Sequence, residues 1–173
     1  VTDSALQPEG VALTDGASAV KKQPTSRMCF VCGESNPAGL HVRFYQQEDG
    51  SVLARFTGRD HHQGYPGRMH GGIITAVMDE TMGRAIMTRY GDNIWGVTAE
   101  LTVRFRQPVP LNLELTAVGR ITAEKTRLFE GSGELYLPDG SVAVEAVGKF
   151  VKMDLSRIAT FDPECEQWYV RPD

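Results

Sequence analysis

Asp79 and Glu80 are adjacent carboxylates inside an otherwise apolar run, and the triplet His70-Gly71-Gly72 stands just before it. An ionised carboxylate in a buried helix is costly unless it is hydrogen-bonded or paired, so its placement needs a reason. Glycines at a helix start let a ligand approach the backbone closely. The first-turn N–H groups have no intrahelical partner, and the helix dipole adds positive potential there. Such a turn is suited to holding a carbonyl oxygen as it becomes negative. Asp79 lies roughly two turns further on, at about 5.4 Å per turn, too far to act on that carbonyl within one chain. The two features can meet across a subunit boundary. The plainer reading makes Asp79 and Glu80 a solvated stripe and the glycines an ordinary loop-to-helix joint.

The elements that must position these residues follow from periodicity. Ile73, Ile74, Ala76, Val77, Met78, Met82, Ala85, Ile86 and Met87 predict one helix from about Gly71 to Tyr90, buried on nearly all sides, with Gly91 and Asn93 as stop signals. Before it, Leu40, Val42 and Phe44 share one face of a strand, the Asp49-Gly50 turn follows, and a return strand runs from Val52 to Phe56. After it, Val97, Ala99, Leu101, Val103 and Phe105 alternate strictly with polar residues, as in a half-buried antiparallel strand. Three more strands are expected at 113–122, 127–137 and 142–153. With no βαβ alternation, the fold class is α+β: an antiparallel sheet wrapped around one long central helix. Residues 1–27 read as an N-terminal arm outside the core, 28–153 as the domain and 154–173 as a docked tail.

Composition narrows the functions. The chain has 173 residues, 41% hydrophobic and 23% charged, which fits one domain with one core. Acidic residues outnumber basic ones, 22 to 18, so the basic surplus of a nucleic-acid binder is missing. No apolar run approaches the roughly 20 residues of a membrane span, and the N-terminus has no signal-peptide pattern. Cys29, Cys32 and Cys165 make an odd set that does not resemble a secreted disulfide framework. The expectation is a soluble cytoplasmic protein.

The string from Gly64 to Asp79, GYPGRMHGGIITAVMD, resembles the signature of hotdog-fold acyl-CoA thioesterases, closest to the phenylacetic-acid-type and thioesterase-superfamily-member branch. The segment Val97 to Phe105, followed by Pro108, is similar to that family's strand after the helix. The resemblance spans roughly residues 29–153. It implies a hotdog fold and hydrolysis of an acyl-CoA to free acid and coenzyme A. It further implies Asp79 as general base on water or nucleophile, the Gly71 N–H as polariser of the thioester oxygen, Thr98 as a hydroxyl positioning the water, and His70 as an orienter of the loop. It implies a homodimer or dimer of dimers, with Asp79 beside the partner's glycine turn. Some relatives carry Asn six residues before the histidine. Here that position is Gly64, so Gln63 or His62 is the expected polar substitute, with Gly72 and Arg68 as further substrate-binding residues. The alternatives are a non-catalytic module that binds acyl-CoA and an enoyl-thioester hydratase. The hydratase is weakened because Asp79 stands where a neighbouring Asp–His pair is expected.

Cys29-x-x-Cys32 raises a zinc reading, but only Cys165 and four histidines were available to complete four ligands, so no metal and no cofactor is expected. Arg104, Arg106, Lys125, Arg127, Lys149 and Lys152 read mainly as a polar sheet face. Met69, Met78, Met82 and Met87 read as adaptable packing, with one or two lining an acyl tunnel that Tyr90 or Trp95 would close.

Overall fold

The computed structural model describes residues 21–160 and 162–172. Leu6, Val11 and Leu13 of the expected arm, and Phe161 of the tail, lie outside the described residues. The strands are β1 (Lys21–Lys22), β2 (Arg43–Gln46), β3 (Val52–Thr57), β4 (Ile94–Phe105), β5 (Glu114–Glu124), β6 (Leu128–Tyr136) and β7 (Val142–Asp154). The α-helices are α1 (Gly71–Gly83), α2 (Met87–Tyr90) and α3 (Leu155–Ile158). All seven strands form one antiparallel sheet in the order β1-β2-β3-β5-β6-β7-β4. Helix α1 packs across it, touching β3, β4, β5, β6 and β7. This is the hotdog architecture.

The core follows the expected faces. Leu40, Val42 and Phe44 are buried, although the paired strand begins only at Arg43 because His41 takes a left-handed φ of 52°. Phe129 stacks on Phe150 with ring centroids 4.8 Å apart, and Met78 and Met82 lie fully buried against β6. The expected single helix is divided. After Gly83 the chain tightens into a 3-10 turn over 84–86, resumes as α2, and stops at Gly91 with φ 65°. Tight turns are common at helix C-termini, and glycine is a poor helix former. The burial prediction holds across this joint, with residues 81–87 all buried.

The last residues of the expected arm are built in more firmly than a surface arm. Lys21 and Lys22 extend the sheet beside β2, and Gln23, Pro24 and Thr25 are buried. The tail closes over the same end. Thr25 pairs with Tyr169, and Trp168 lies 5.0 Å from Trp95, ring to ring.

Helix α1 sits so close to the sheet that β5 must carry a glycine. A Cβ on Gly119 would lie 2.7 Å from the Thr81 carbonyl oxygen and 2.9 Å from the Met82 nitrogen. Both are backbone atoms that cannot swing aside. Gly119→Ala is therefore expected to cost about 1–3 kcal/mol. A lowered urea midpoint at unchanged slope would show it.

Candidate active site

The carboxylate of Asp79 is half-buried and lines a cavity. Thr98 Oγ1 donates to Asp79 Oδ1 at 2.5 Å. The two residues meet because β4 is irregular at this point. Its register against β7 shifts between Thr98 and Glu100, so Ala99 is an extra residue. A bulge re-aims neighbouring side chains. The strict alternation expected for 97–105 is broken here, and Ala99 is exposed although its sequence position is apolar. Burial raises the Asp79 pKa, the Thr98 hydrogen bond opposes that, and the neighbouring Glu80 charge adds to it. With Oδ1 engaged by Thr98, Oδ2 remains to accept a proton from water.

The cavity holds about 250 Å³. Asp79, Thr98 and Gly96 line one part of it, and Met87, Trp95 and Trp168 line another. A dry cavity of about 150 Å³ accommodates benzene, so this one has room for an acyl group of modest size. Of the four methionines considered, only Met87 lines this cavity, and Trp95 does help to close it.

Beside Asp79, Glu80 is paired rather than solvated, which removes the acidic-stripe reading. Arg84, buried to 6% exposure, donates from Nε to Glu80 Oε1 at 2.9 Å and from Nη1 to the Pro24 carbonyl at 3.0 Å. Its guanidinium also lies 4.2 Å from the Phe44 ring centre and 5.2 Å from that of Trp168. Nη2 reaches Cys32 Sγ at 3.3 Å, and the Cys29 thiol donates to Glu80 Oε2 at 3.3 Å. The adjacent Cys32 thiol, burial and the Glu80 charge hold the Cys29 proton well above the usual thiol range, while the adjacent Cys29 and the Arg84 charge lower Cys32.

The glycine turn forms as expected, with a qualification. His70 caps α1: its Nδ1 accepts from the Gly72 N–H at 3.0 Å. The orienting role expected of His70 thus has a definite geometry, and it occupies the Gly72 N–H proposed for substrate. The N–H groups of Ile73 and Ile74 both return to the His70 carbonyl. Among the described residues the Gly71 N–H has no protein acceptor, which leaves it able to serve a ligand.

Two expected substrate-binding residues turn out to be structural. His62 is 1% exposed, with Nδ1 accepting from the Arg59 N–H at 3.0 Å and Nε2 hydrogen-bonded to the Ala38 carbonyl at 3.0 Å. Neither nitrogen is left for a ligand. Gln63 is exposed, but its Oε1 closes the following loop by accepting from the Gly67 N–H at 2.9 Å. Gly64 explains why no larger residue stands there: an added Cβ would lie 3.1 Å from the His70 Cα. Arg68 is exposed on the same loop. Three of the basic strand residues are ion-paired within the sheet: Arg106 with Glu145, Lys149 with Glu100 and Lys152 with Glu124. That agrees with a polar face.

Residues 66–144 match the thioesterase superfamily. The mouse acyl-coenzyme A thioesterase THEM4 is 27% identical over 117 residues, covering 66% of this chain and 48% of that protein. The rat protein of the same name gives the same figures over 115 residues. The chain spans about half the length of the curated relatives it matches. A crystallised thioesterase superfamily protein shares 33% identity with a TM-score of 0.66, covering 72% of this chain and 63% of its own. The Escherichia coli PaaI protein from the phenylacetic acid degradation operon is 16% identical with a TM-score of 0.60, covering 66% and 80%, a likeness of fold alone. The matched segment runs from the loop before the glycine turn through Asp79 and Thr98 into β7. The chain thus has the hotdog fold, and its central segment, which carries Asp79 and Thr98, is similar in sequence to the thioesterase superfamily.

Proposed function

We propose that the chain hydrolyses the thioester of an acyl-coenzyme A, with Asp79 activating the attacking water. The observation that carries this reading is the hydrogen-bonded Asp79–Thr98 pair on the wall of a mostly apolar cavity. Asp79 takes a proton from water through Oδ2 as the oxygen attacks the thioester carbonyl. The negative oxygen of the tetrahedral intermediate is received by a Gly71 N–H at a helix N-terminus. Collapse breaks the carbon–sulfur bond, and the proton returns from Asp79 to the leaving thiolate. Direct attack by Asp79 would instead give an acyl anhydride that water then cleaves.

Within one protomer the Gly71 N–H is about 12 Å from Asp79 along the helix axis. The site therefore takes its glycine turn from a second copy. Strand β4 supports that assembly: it is a 12-residue strand at the end of the sheet, paired only with β7, and Phe105 on it is 49% exposed. An open edge of this length is prone to pair with another chain. The working unit is a cytoplasmic homodimer or dimer of dimers built on residues 28–153, with 154–173 as a docked tail. A charged residue at this edge, Phe105→Lys, is expected to yield monomers by light scattering and to abolish hydrolysis together with assembly.

Release of free thiol from a panel of acyl-CoAs tests the activity. Turnover that depends on Asp79 supports it, and tight acyl-CoA binding without thiol release would favour a non-catalytic binding module. Thr98→Ala is expected to lose about ten- to a hundredfold in kcat/KM, the worth of one hydrogen bond to a charged group, and so less than loss of the carboxylate.

A further inference from the structure

Cys29, Cys32 and Glu80 bring three ligand atoms within 4.8 Å of one another, beside the cavity that Asp79 lines. We propose that these three side chains form a zinc site whose fourth position opens into the cavity. The expectation of no metal rested on seeking ligands among Cys165 and the histidines. It missed Glu80, which the helix brings to the cysteine pair.

The three ligand atoms stand close enough together to share one ion. Zinc–sulfur bonds of about 2.3 Å in a tetrahedron put two sulfurs about 3.8 Å apart. Cys29 Sγ already lies 3.3 Å from Glu80 Oε2. The surrounding donors are those that thiolate ligands need. The Val31 N–H points at Cys29 Sγ at 3.3 Å, and Arg84 Nη2 points at Cys32 Sγ at 3.3 Å. Glu80 is divided between two tasks. Oε1 is held by Arg84, which fixes the carboxylate, and Oε2 is presented to the thiols. Partners of this kind orient ligands and tune the metal they hold.

The formal charges also balance. With both thiols protonated, the buried group sums to zero: Arg84 carries one positive charge and Glu80 one negative. Zinc uptake breaks two S–H bonds, forms two Zn–S bonds and releases two protons through the cavity. The cluster of Zn²⁺, two thiolates, Glu80 and Arg84 again sums to zero. The buried Arg84 charge, which would repel a cation held by neutral ligands, is offset by the ligands' own ionisation. The metal would join the loop carrying Cys29 and Cys32 to α1 one residue from Asp79.

The test uses the full chain, reduced and stripped with a chelator. Titration with zinc chloride against a chromogenic chelator is expected to show one equivalent bound. Half-buried Cys29 then stops reacting with a disulfide reagent, while exposed Cys165 continues. Cobalt chloride in place of zinc should give the near-ultraviolet sulfur-to-cobalt band of two thiolates. Cys29→Ser and Cys32→Ser are each expected to weaken zinc binding by about a hundredfold, and Glu80→Gln by roughly tenfold. Cys165→Ser should leave binding unchanged. Less than half an equivalent bound by the wild-type chain overturns the proposal, as does uptake that the two cysteine substitutions leave unaltered. The wild-type titration and cobalt spectrum need no variant to fold, and neither depends on thioester hydrolysis.

Discussion

Asp79→Asn is expected to lower kcat/KM for acyl-CoA hydrolysis by about 10²- to 10⁴-fold, the usual worth of a positioned general base. The amide is nearly the same size and can still accept from Thr98 through its oxygen, so packing survives. What it lacks is the second oxygen able to take a proton. Thermal unfolding and light scattering should match the wild type while thiol release collapses. Normal turnover by this variant would remove the assigned role, because no other carboxylate on the cavity wall is free of a partner's charge: Glu80 is bound to Arg84. If Asp79 acts as a nucleophile instead, the same substitution abolishes activity. Hydrolysis in oxygen-18 water under single-turnover conditions then separates the two routes, since only the anhydride route places label in Asp79.

The largest stability effect is expected at Arg84. Its side chain is enclosed by Glu80, the Pro24 carbonyl, Cys32 and two aromatic rings. Arg84→Met keeps much of the volume but leaves Glu80 charged and partly buried at 21% exposure, and the Pro24 carbonyl without its donor. Breaking a buried pair in this way costs about 3–5 kcal/mol. That corresponds to roughly 6–20 °C in Tm for a domain of this size. The double variant Arg84→Met, Glu80→Gln should recover part of the loss, because the orphaned charge goes with its partner. A double-mutant cycle measures how much. Additive losses would show that Arg84 acts through the Pro24 and aromatic contacts rather than through Glu80.

The parts of the fold written in local periodicity were legible from the sequence. The β2–β3 pair, the helix and the four strands after it, and the inward face of Leu40, Val42 and Phe44 follow from spacing alone, whereas β1 fell inside the expected arm and the first turns of α1 are less buried than expected. The break at Gly83 and the bulge at Ala99 were not legible, since each is decided by what packs against it from a distant part of the chain. His62 shows the same limit in the site. A histidine in a Gly-rich loop looks available, and only the fold reveals that Ala38 and Arg59 hold both its nitrogens. Asp79 stood out as a carboxylate in an apolar run, Thr98 was found through the resemblance, and their contact depends on a bulge that alternation hides. Arg84 was missed, and Trp168 was expected only as an apolar residue of the docked tail. The i,i+4 spacing of Glu80 and Arg84 was visible and signals an ion pair. No local pattern could place Trp168 against Trp95.

The cavity draws its walls from opposite ends of the described chain, with Ser26, Cys29 and Cys32 on one side and Trp168 on the other. The acid and hydroxyl that would cut the substrate come instead from the scaffold of helix and sheet. The flanking segments thus shape part of the chamber, while Met87, Trp95 and Gly96 shape the rest. A lineage could exchange its flanking segments, and with them that part of the chamber, while the cleavage chemistry passes through untouched.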